Sequence, residues 1–202
     1  MIRRKTVAKC WLVANPRSID RPVLLSSVYN SLWLASLTRV IVVFPSFGRH
    51  QDYGYWQASS NTNMITVWIV LQDTDLTNGG MMSINCSHKW GLIPDSDTFF
   101  DQDMDKLKQK HAGEGRDWIE EPCILKAGHA SFHHSLTFHG SGPNVTNKLR
   151  LSVVAHLMPH DTFYRPDVQY HNNIKLLGPR PQAGQRFDNE YFPVLYSASN
   201  KG

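Results

Sequence analysis

Apolar residues recur at Leu25, Val28, Leu32 and Ala35, and this spacing predicts a helix over 22–38. Residues 40–44 form a short β-branched run closed by Pro45 and Gly48, which predicts a buried strand. Further strands are expected over 50–56 and over 64–71, where MITVWIVL is the clearest strand pattern in the chain. Asn78-Gly79-Gly80 marks a turn that feeds a strand over 81–85. Strands are also expected over 124–126, 130–139 and 150–157, with a loop over 140–148. Many short strands punctuated by Gly and Pro predict an all-β sandwich or barrel.

Two stretches depart from this pattern. Over 92–121, Asp95, Asp97, Asp101, Asp103 and Asp105 are followed by Lys106, Lys108 and Lys110, which predicts a polar insertion with one helix. The Asp101-x-Asp103-x-Asp105 spacing resembles a calcium loop. It fails the pattern, because Lys106 stands at the glycine position and Ala112 at the closing glutamate. From Pro159 the chain is rich in Pro, Gly, Asn and Gln, and it is expected to wrap the β-domain without regular structure. The predicted organisation is an N-terminal segment, 1–39, partly helical, followed by one β-domain over 40–202.

Alternation along the later strands separates two faces. His133, Ser135, Thr137 and His139 share one, while Phe132, His134, Leu136 and Phe138 share the other. Arg150, Ser152, Val154 and His156 again face together, opposite Leu151, Val153, Ala155 and Leu157. This is the pattern of barrel strands with a polar lumen and an apolar outer layer. A hairpin between them brings Arg150 onto the lumen of His139.

Composition narrows the classes. With 202 residues and 41% hydrophobic content, the chain suits one globular domain. The net charge of +4 is scattered, and Arg3-Arg4-Lys5 is the only basic run, so nucleic-acid binding is not expected. Three cysteines, Cys10, Cys86 and Cys123, lack disulfide-framework or zinc-finger spacing and are expected to be inert thiols. Sequons at Asn85 and Asn144 would matter only in a secreted protein. Lys9 and Asn15 interrupt the apolar stretch behind the basic run, and no apolar run is of membrane-spanning length. The C-terminal residues are not a peroxisomal signal. A cytoplasmic protein without membrane association is expected.

Against this background, His50 and Asp52 stand out. On a strand, residues i and i+2 project together, so an imidazole and a carboxylate would share one space as ligands for a divalent metal. His139 on the polar face supplies a second imidazole. Two histidines and one carboxylate leave three positions open on a six-coordinate ion. Arg150 offers a guanidinium fork suited to a carboxylate. His133 lies six residues from His139, roughly 20 Å along an extended strand, which predicts a role at the pocket rim or behind the ligands. The same applies to His156 relative to Arg150. His134 reads as a core or interface residue; His88, His111, His160 and His171 read as surface residues. From the pattern alone, a metal site and an ordinary hairpin with a surface ion pair at Arg150 both stay open.

His50-Gln51-Asp52 with Tyr53, Tyr55 and Trp56, then Val67-Trp68-Ile69, Asn78-Gly79-Gly80 and Ser87-His88-Lys89, appear in that order. They are followed by His133-His134-Ser135-Leu136-Thr137-Phe138-His139-Gly140-Ser141-Gly142-Pro143-Asn144, with Arg150 eleven residues after His139. In order and spacing these motifs resemble the phytanoyl-CoA dioxygenase family of Fe(II)/2-oxoglutarate oxygenases, from about Val40 to the C-terminus. The tail motifs Leu177-Gly178-Pro179-Arg180-Pro181 and Phe192-Pro193 also resemble bacterial members.

The resemblance implies a mainly β fold, a double-stranded β-helix (jelly roll, cupin-like) with a few short helices. It implies Fe(II) on His50, Asp52 and His139. Arg150 and Ser141 would hold the distal carboxylate of 2-oxoglutarate, with Trp68 lining its pocket. The implied reaction consumes O₂ and 2-oxoglutarate, releases succinate and CO₂, and hydroxylates a small organic substrate. Asn85-Cys86 replaces the family's usual Pro-Gly before Ser-His-Lys. The 49 residues before His50 match poorly where the family has a longer region, which predicts a more open pocket or an incomplete chain. Rival readings are a halogenase, disfavoured by Asp52, a cupin-type metalloenzyme that needs no 2-oxoglutarate, and a non-catalytic binding protein on the same scaffold.

Overall fold

The computed structural model describes residues 12–14, 31–42, 47–94, 103, 105–113, 115–168 and 171–197, the first two spans by backbone alone. Its strands are β1 (Leu12–Ala14), β2 (Ser31–Val42), β3 (Phe47–His50), β4 (Ile65–Val70), β5 (Met81–Ile84), β6 (Glu120–Pro122), β7 (Ala130–His134), β8 (His139–Ser141), β9 (Arg150–Pro159) and β10 (Val194–Ser197). They form a six-stranded sheet, β1-β7-β4-β9-β2-β10, and a four-stranded sheet, β3-β8-β5-β6. All pairings are antiparallel. This is the expected jelly-roll fold. No described helix is long and apolar enough to cross a membrane.

Side-chain alternation on the large sheet sets its two faces. Ile65, Val67 and Ile69 of β4 join Ala130, Phe132, Ala155 and Leu157 in an apolar layer on one face. Trp68 and Val70 point the other way. They pack with Met81 of the small sheet and with Cys123, Leu125 and Val154, forming the core between the sheets. A third cluster roots the tail: Tyr53, Trp56, Met64, Leu136 and Met158 bury against Tyr164, Ile174, Leu177, Phe187 and Phe192. The tail is thus part of the core. It is irregular as expected over most of its length, apart from a 3-10 turn at Asn172–Leu177 and the edge strand β10.

Several expectations are corrected. Residues 31–38, given helical spacing by the sequence, are strand: β2 pairs with β9 along Leu32 to Val42, and the sheet's hydrogen bonds override a local periodicity. Residues 22–30 and 43–44 of the expected helix and strand lie outside the described residues. The strand expected over 50–56 ends at His50 and turns into a 3-10 turn, Asp52–Gly54. The strand expected over 124–126 is only a single bridge, Thr74 to Leu125, and β6 lies before it. The long strand expected over 130–139 is broken. β7 ends at His134, Thr137 donates to the His134 carbonyl at 2.8 Å, and the chain re-enters the other sheet as β8. Cys86 is disulfide-bonded, not an inert thiol, with its partner outside the described residues, whereas Cys123 is a buried thiol that takes no part in a disulfide.

The polar insertion holds the expected short helix, α1 (Lys106–His111). Asp103 starts it, accepting from the amides of Asp105 and Lys106 at 3.0 Å each. Leu107 pins it to Ile84, Ile93 and Phe138.

Candidate metal and co-substrate site

One cavity of about 210 Å³ lies between the sheets. The inward face of the large sheet contributes Thr66 and Trp68 from β4, His133 from β7, and Arg150, Ser152, Val154 and His156 from β9. The small sheet contributes Phe47, His50, Met81, His139, Gly140 and Ser141, and Asp52 follows β3. The inward faces read from alternation are therefore the walls of one space.

His50 and Asp52 reach it in a different way from the one expected. The strand stops, and the 3-10 turn carries Asp52 back beside His50. Gln51 locks the corner. Its amide nitrogen donates to Gly91 and Leu136 carbonyls at 2.8 and 2.7 Å, and its carbonyl oxygen accepts from Ile93 at 2.8 Å. The contact with Leu136 ties this corner to the bend between β7 and β8. That bend returns His139 towards His133, and their ring centroids are 4.3 Å apart. The 20 Å separation expected for a straight strand is thereby abolished, and His133 joins the ligand cluster's surroundings.

β8 must also run close to β3, where His139 pairs with His50. A Cβ on Gly140 would lie 2.9 Å from the Phe47 carbonyl oxygen and 3.1 Å from the Arg49 backbone. Glycine is therefore required for the two ligand-bearing strands to pair at this distance.

The ligand atoms of His50, Asp52 and His139 all lie within 4.8 Å of one another, and all three residues are buried. Nδ1 of His50 donates to the Gly48 carbonyl at 2.8 Å, and Nδ1 of His139 donates to the Thr137 carbonyl at 3.0 Å. A carbonyl can only accept, so each ring carries its proton on Nδ1 and turns the Nε2 lone pair inward. These nitrogens lie 3.5 and 3.6 Å from Asp52 Oδ1. Burial opposes ionisation of Asp52, but His139, with His133, His50 and His156, outweighs it and holds the carboxyl well below its ordinary value. Burial and His133 hold His139 well below the usual imidazole value, against the pull of Asp52. Two imidazoles with Nε2 turned inward and one carboxylate fit a divalent first-row metal.

Arg150 and Ser141 meet at the same cavity. The guanidinium donates to Ser141 Oγ at 3.0 Å and to the Gly79 carbonyl, and it lies over the Phe47 ring at 5.8 Å. Gly79 has φ +78°, a backbone that glycine adopts freely. Trp68 lines the cavity wall, 5% exposed.

Thr66 escaped the sequence reading, whereas His133, expected at the pocket rim or behind the ligands, lies beside Asp52. Thr66 donates to Asp52 Oδ2 and lies 2.8 Å from His156 Nδ1. His133 Nε2 lies 3.5 Å from the same Asp52 oxygen. For Thr66, the period-two alternation with Trp68 was the available signal; for His133, no local signal reveals the bend. His171, expected at the surface, stacks on Trp56 at 4.0 Å.

An antiparallel two-sheet barrel with a His-Asp-His group and a buried Arg-Ser pair in one cavity is a double-stranded β-helix whose cavity could hold a metal ion. The chain belongs to the phytanoyl-CoA dioxygenase (PhyH) family, whose model matches residues 12–152. The match takes in β1 and β2, ahead of the Val40 where the motif resemblance begins. Among similar proteins, phytanoyl-CoA dioxygenase of Arabidopsis thaliana is 30% identical over 160 residues, 74% of this chain and 49% of that protein. The peroxisomal human phytanoyl-CoA dioxygenase is 23% identical over 115 residues, 57% of this chain and 34% of that protein. The "Probable alpha-ketoglutarate-dependent hypophosphite dioxygenase" of Stutzerimonas stutzeri is 28% identical over 96 residues, 47% of this chain and 33% of that protein. The chain thus spans about half or less of the length of these relatives. Among solved structures, the non-heme alpha ketoglutarate dependent epimerase SnoN from nogalamycin biosynthesis superposes with TM-score 0.64 at 25% identity, over 83% of this chain and 65% of that one. The carbocyclase SnoK shares the fold, with TM-score 0.62 at 20% identity, over 82% of this chain and 63% of that one.

Proposed function

We propose that the protein is an Fe(II)/2-oxoglutarate-dependent dioxygenase that hydroxylates a small organic substrate, with release of succinate and CO₂. The observation that carries this reading is the convergence of His50, Asp52 and His139 in one cavity with the Arg150–Ser141 pair. In this reading the three residues hold Fe(II), which when bound supplies the redox chemistry joining O₂ and 2-oxoglutarate to substrate oxidation. Arg150 binds the distal carboxylate of 2-oxoglutarate, and Ser141 adds a hydroxyl to that cradle. Trp68, Met81, Val154 and Phe47 wall the cavity with apolar surface and keep bulk water from the reacting groups. Asp52 occupies a coordination position and brings a negative charge that repels chloride. This favours oxygen insertion over halogen transfer.

The test is anaerobic titration of the protein with Fe(II) and then 2-oxoglutarate. A visible metal-to-ligand charge-transfer band is expected, followed by succinate release in air with candidate substrates. Iron binding without a response to 2-oxoglutarate would favour the cupin-type reading. Binding of neither would sink the assignment.

A further inference from the structure

The two oxygens of Asp52 have different neighbours. Oδ1 faces the Nε2 atoms of His50 and His139 at 3.5 and 3.6 Å. Oδ2 accepts the Thr66 hydroxyl proton and lies 3.5 Å from His133 Nε2. Thr66 has a single hydroxyl proton, and a carboxylate can only accept it. The Thr66 oxygen is therefore the acceptor for His156 Nδ1, 2.8 Å away. The result is a directed chain in which His156 Nδ1–H donates to Thr66 Oγ1 and Thr66 O–H donates to Asp52 Oδ2.

The sheet itself builds this arrangement. In the ladder, Thr66 of β4 is directly opposite His133 of β7 on one side and His156 of β9 on the other. All three line the cavity, and Thr66 is 4% exposed. Because β4 is paired on both sides, the row cannot shift without breaking two ladders.

We propose that Thr66, supported by His156, holds the outer oxygen of Asp52, so that the carboxylate meets a metal through Oδ1 alone, with Thr66 as the positioning residue. This rests on the metal reading given above. A carboxylate free to rotate can offer both oxygens to one ion and take two coordination positions. Held at Oδ2, it takes one and leaves three open for a bidentate co-substrate and O₂.

Co(II) is the probe, with affinity read by chelator competition and geometry by the visible d–d spectrum of the full chain. Thr66→Val keeps the side-chain shape and removes the hydroxyl. It is expected to weaken Co(II) binding about tenfold and to change the spectrum. Thr66→Ser keeps the hydroxyl and restores both. His156→Asn keeps an N–H near the Nδ1 position and is expected to resemble wild type, whereas His156→Leu should follow Thr66→Val. Should Thr66→Val fail to fold, the contrast between the two His156 variants reads the same contact. Wild-type affinity and spectrum in Thr66→Val, or in His156→Leu, would overturn the proposal while leaving the metal site standing. A wild-type protein that does not bind Co(II) would overturn the metal reading, and this proposal with it.

Discussion

Asp52 carries a negative charge into a buried shell of imidazoles, and its environment favours ionisation despite burial. Replacing His50, Asp52 or His139 by Ala is expected to leave two protein donors and to abolish tight Fe(II) binding, with the circular dichroism of the fold kept. Equilibrium metal binding checks this; three variants with wild-type affinity would refute the assignment. At Arg150 the fork is the point. Arg150→Lys should raise the 2-oxoglutarate concentration needed for half-maximal signal, because one ammonium cannot copy two parallel donors. Ser141→Ala should cost less, on the order of 1 kcal/mol. His134 makes a separate prediction. Burial, with His88 and His133 nearby, pushes its value down from 6.5 to about 4. Its Nδ1 also accepts from the Leu136 amide at 3.1 Å, a bond that protonation destroys. Between those two values the unfolded chain binds the extra proton and the folded one does not. The contribution to stability is therefore full above pH 6.5 and is lost as pH falls towards about 4. His134→Asn, which keeps an acceptor and does not titrate, should flatten the fall of melting temperature across that window.

At the scale of elements, two corners make the site. The β3 corner carries Asp52 back beside His50, and the bend between β7 and β8 returns His139 to it. Gln51 is fully buried and hydrogen-bonds across both. Gln51→Leu removes three hydrogen bonds and is expected to destabilise the protein by about 3 kcal/mol. Denaturant unfolding measures this loss. Metal affinity should fall with it, because the corners no longer hold one geometry. Neither corner is visible to a reading of alternation. Residues 130–139 alternate in the same sense on both sides of the break, so period alone describes one long strand. The segment 31–38 fails differently: its apolar spacing is helical, and pairing with β9 decides its conformation.

For the molecule as a whole, the site lies between the two sheets, so a bound ion and its co-substrate would link them. Fe(II) with 2-oxoglutarate at about 100 times its dissociation constant should add about 2.7 kcal/mol to stability. For a chain of this size that is a rise in melting temperature of about 5–10 °C under anaerobic conditions. A shift that survives Arg150→Ala would place the co-substrate elsewhere.

Much of this architecture follows from the chain alone. Alternation on β7 and β9 determined which residues face inward, because side chains on a strand must point to opposite sides of the sheet. That is why Arg150 and the inward-facing residues of β9 were legible as one wall, whereas Trp68 was singled out by the family resemblance. The residue types at 50, 52 and 139 fixed the chemistry on offer, two imidazoles and one carboxylate. Tertiary structure decided which groups meet. His133 and Thr66 reach Asp52 only through a broken strand and a ladder register, and both depend on hydrogen bonds between residues far apart in sequence. Local pattern sets the face a side chain takes. Long-range pairing sets the distance between faces, and a ligand set is defined by distances.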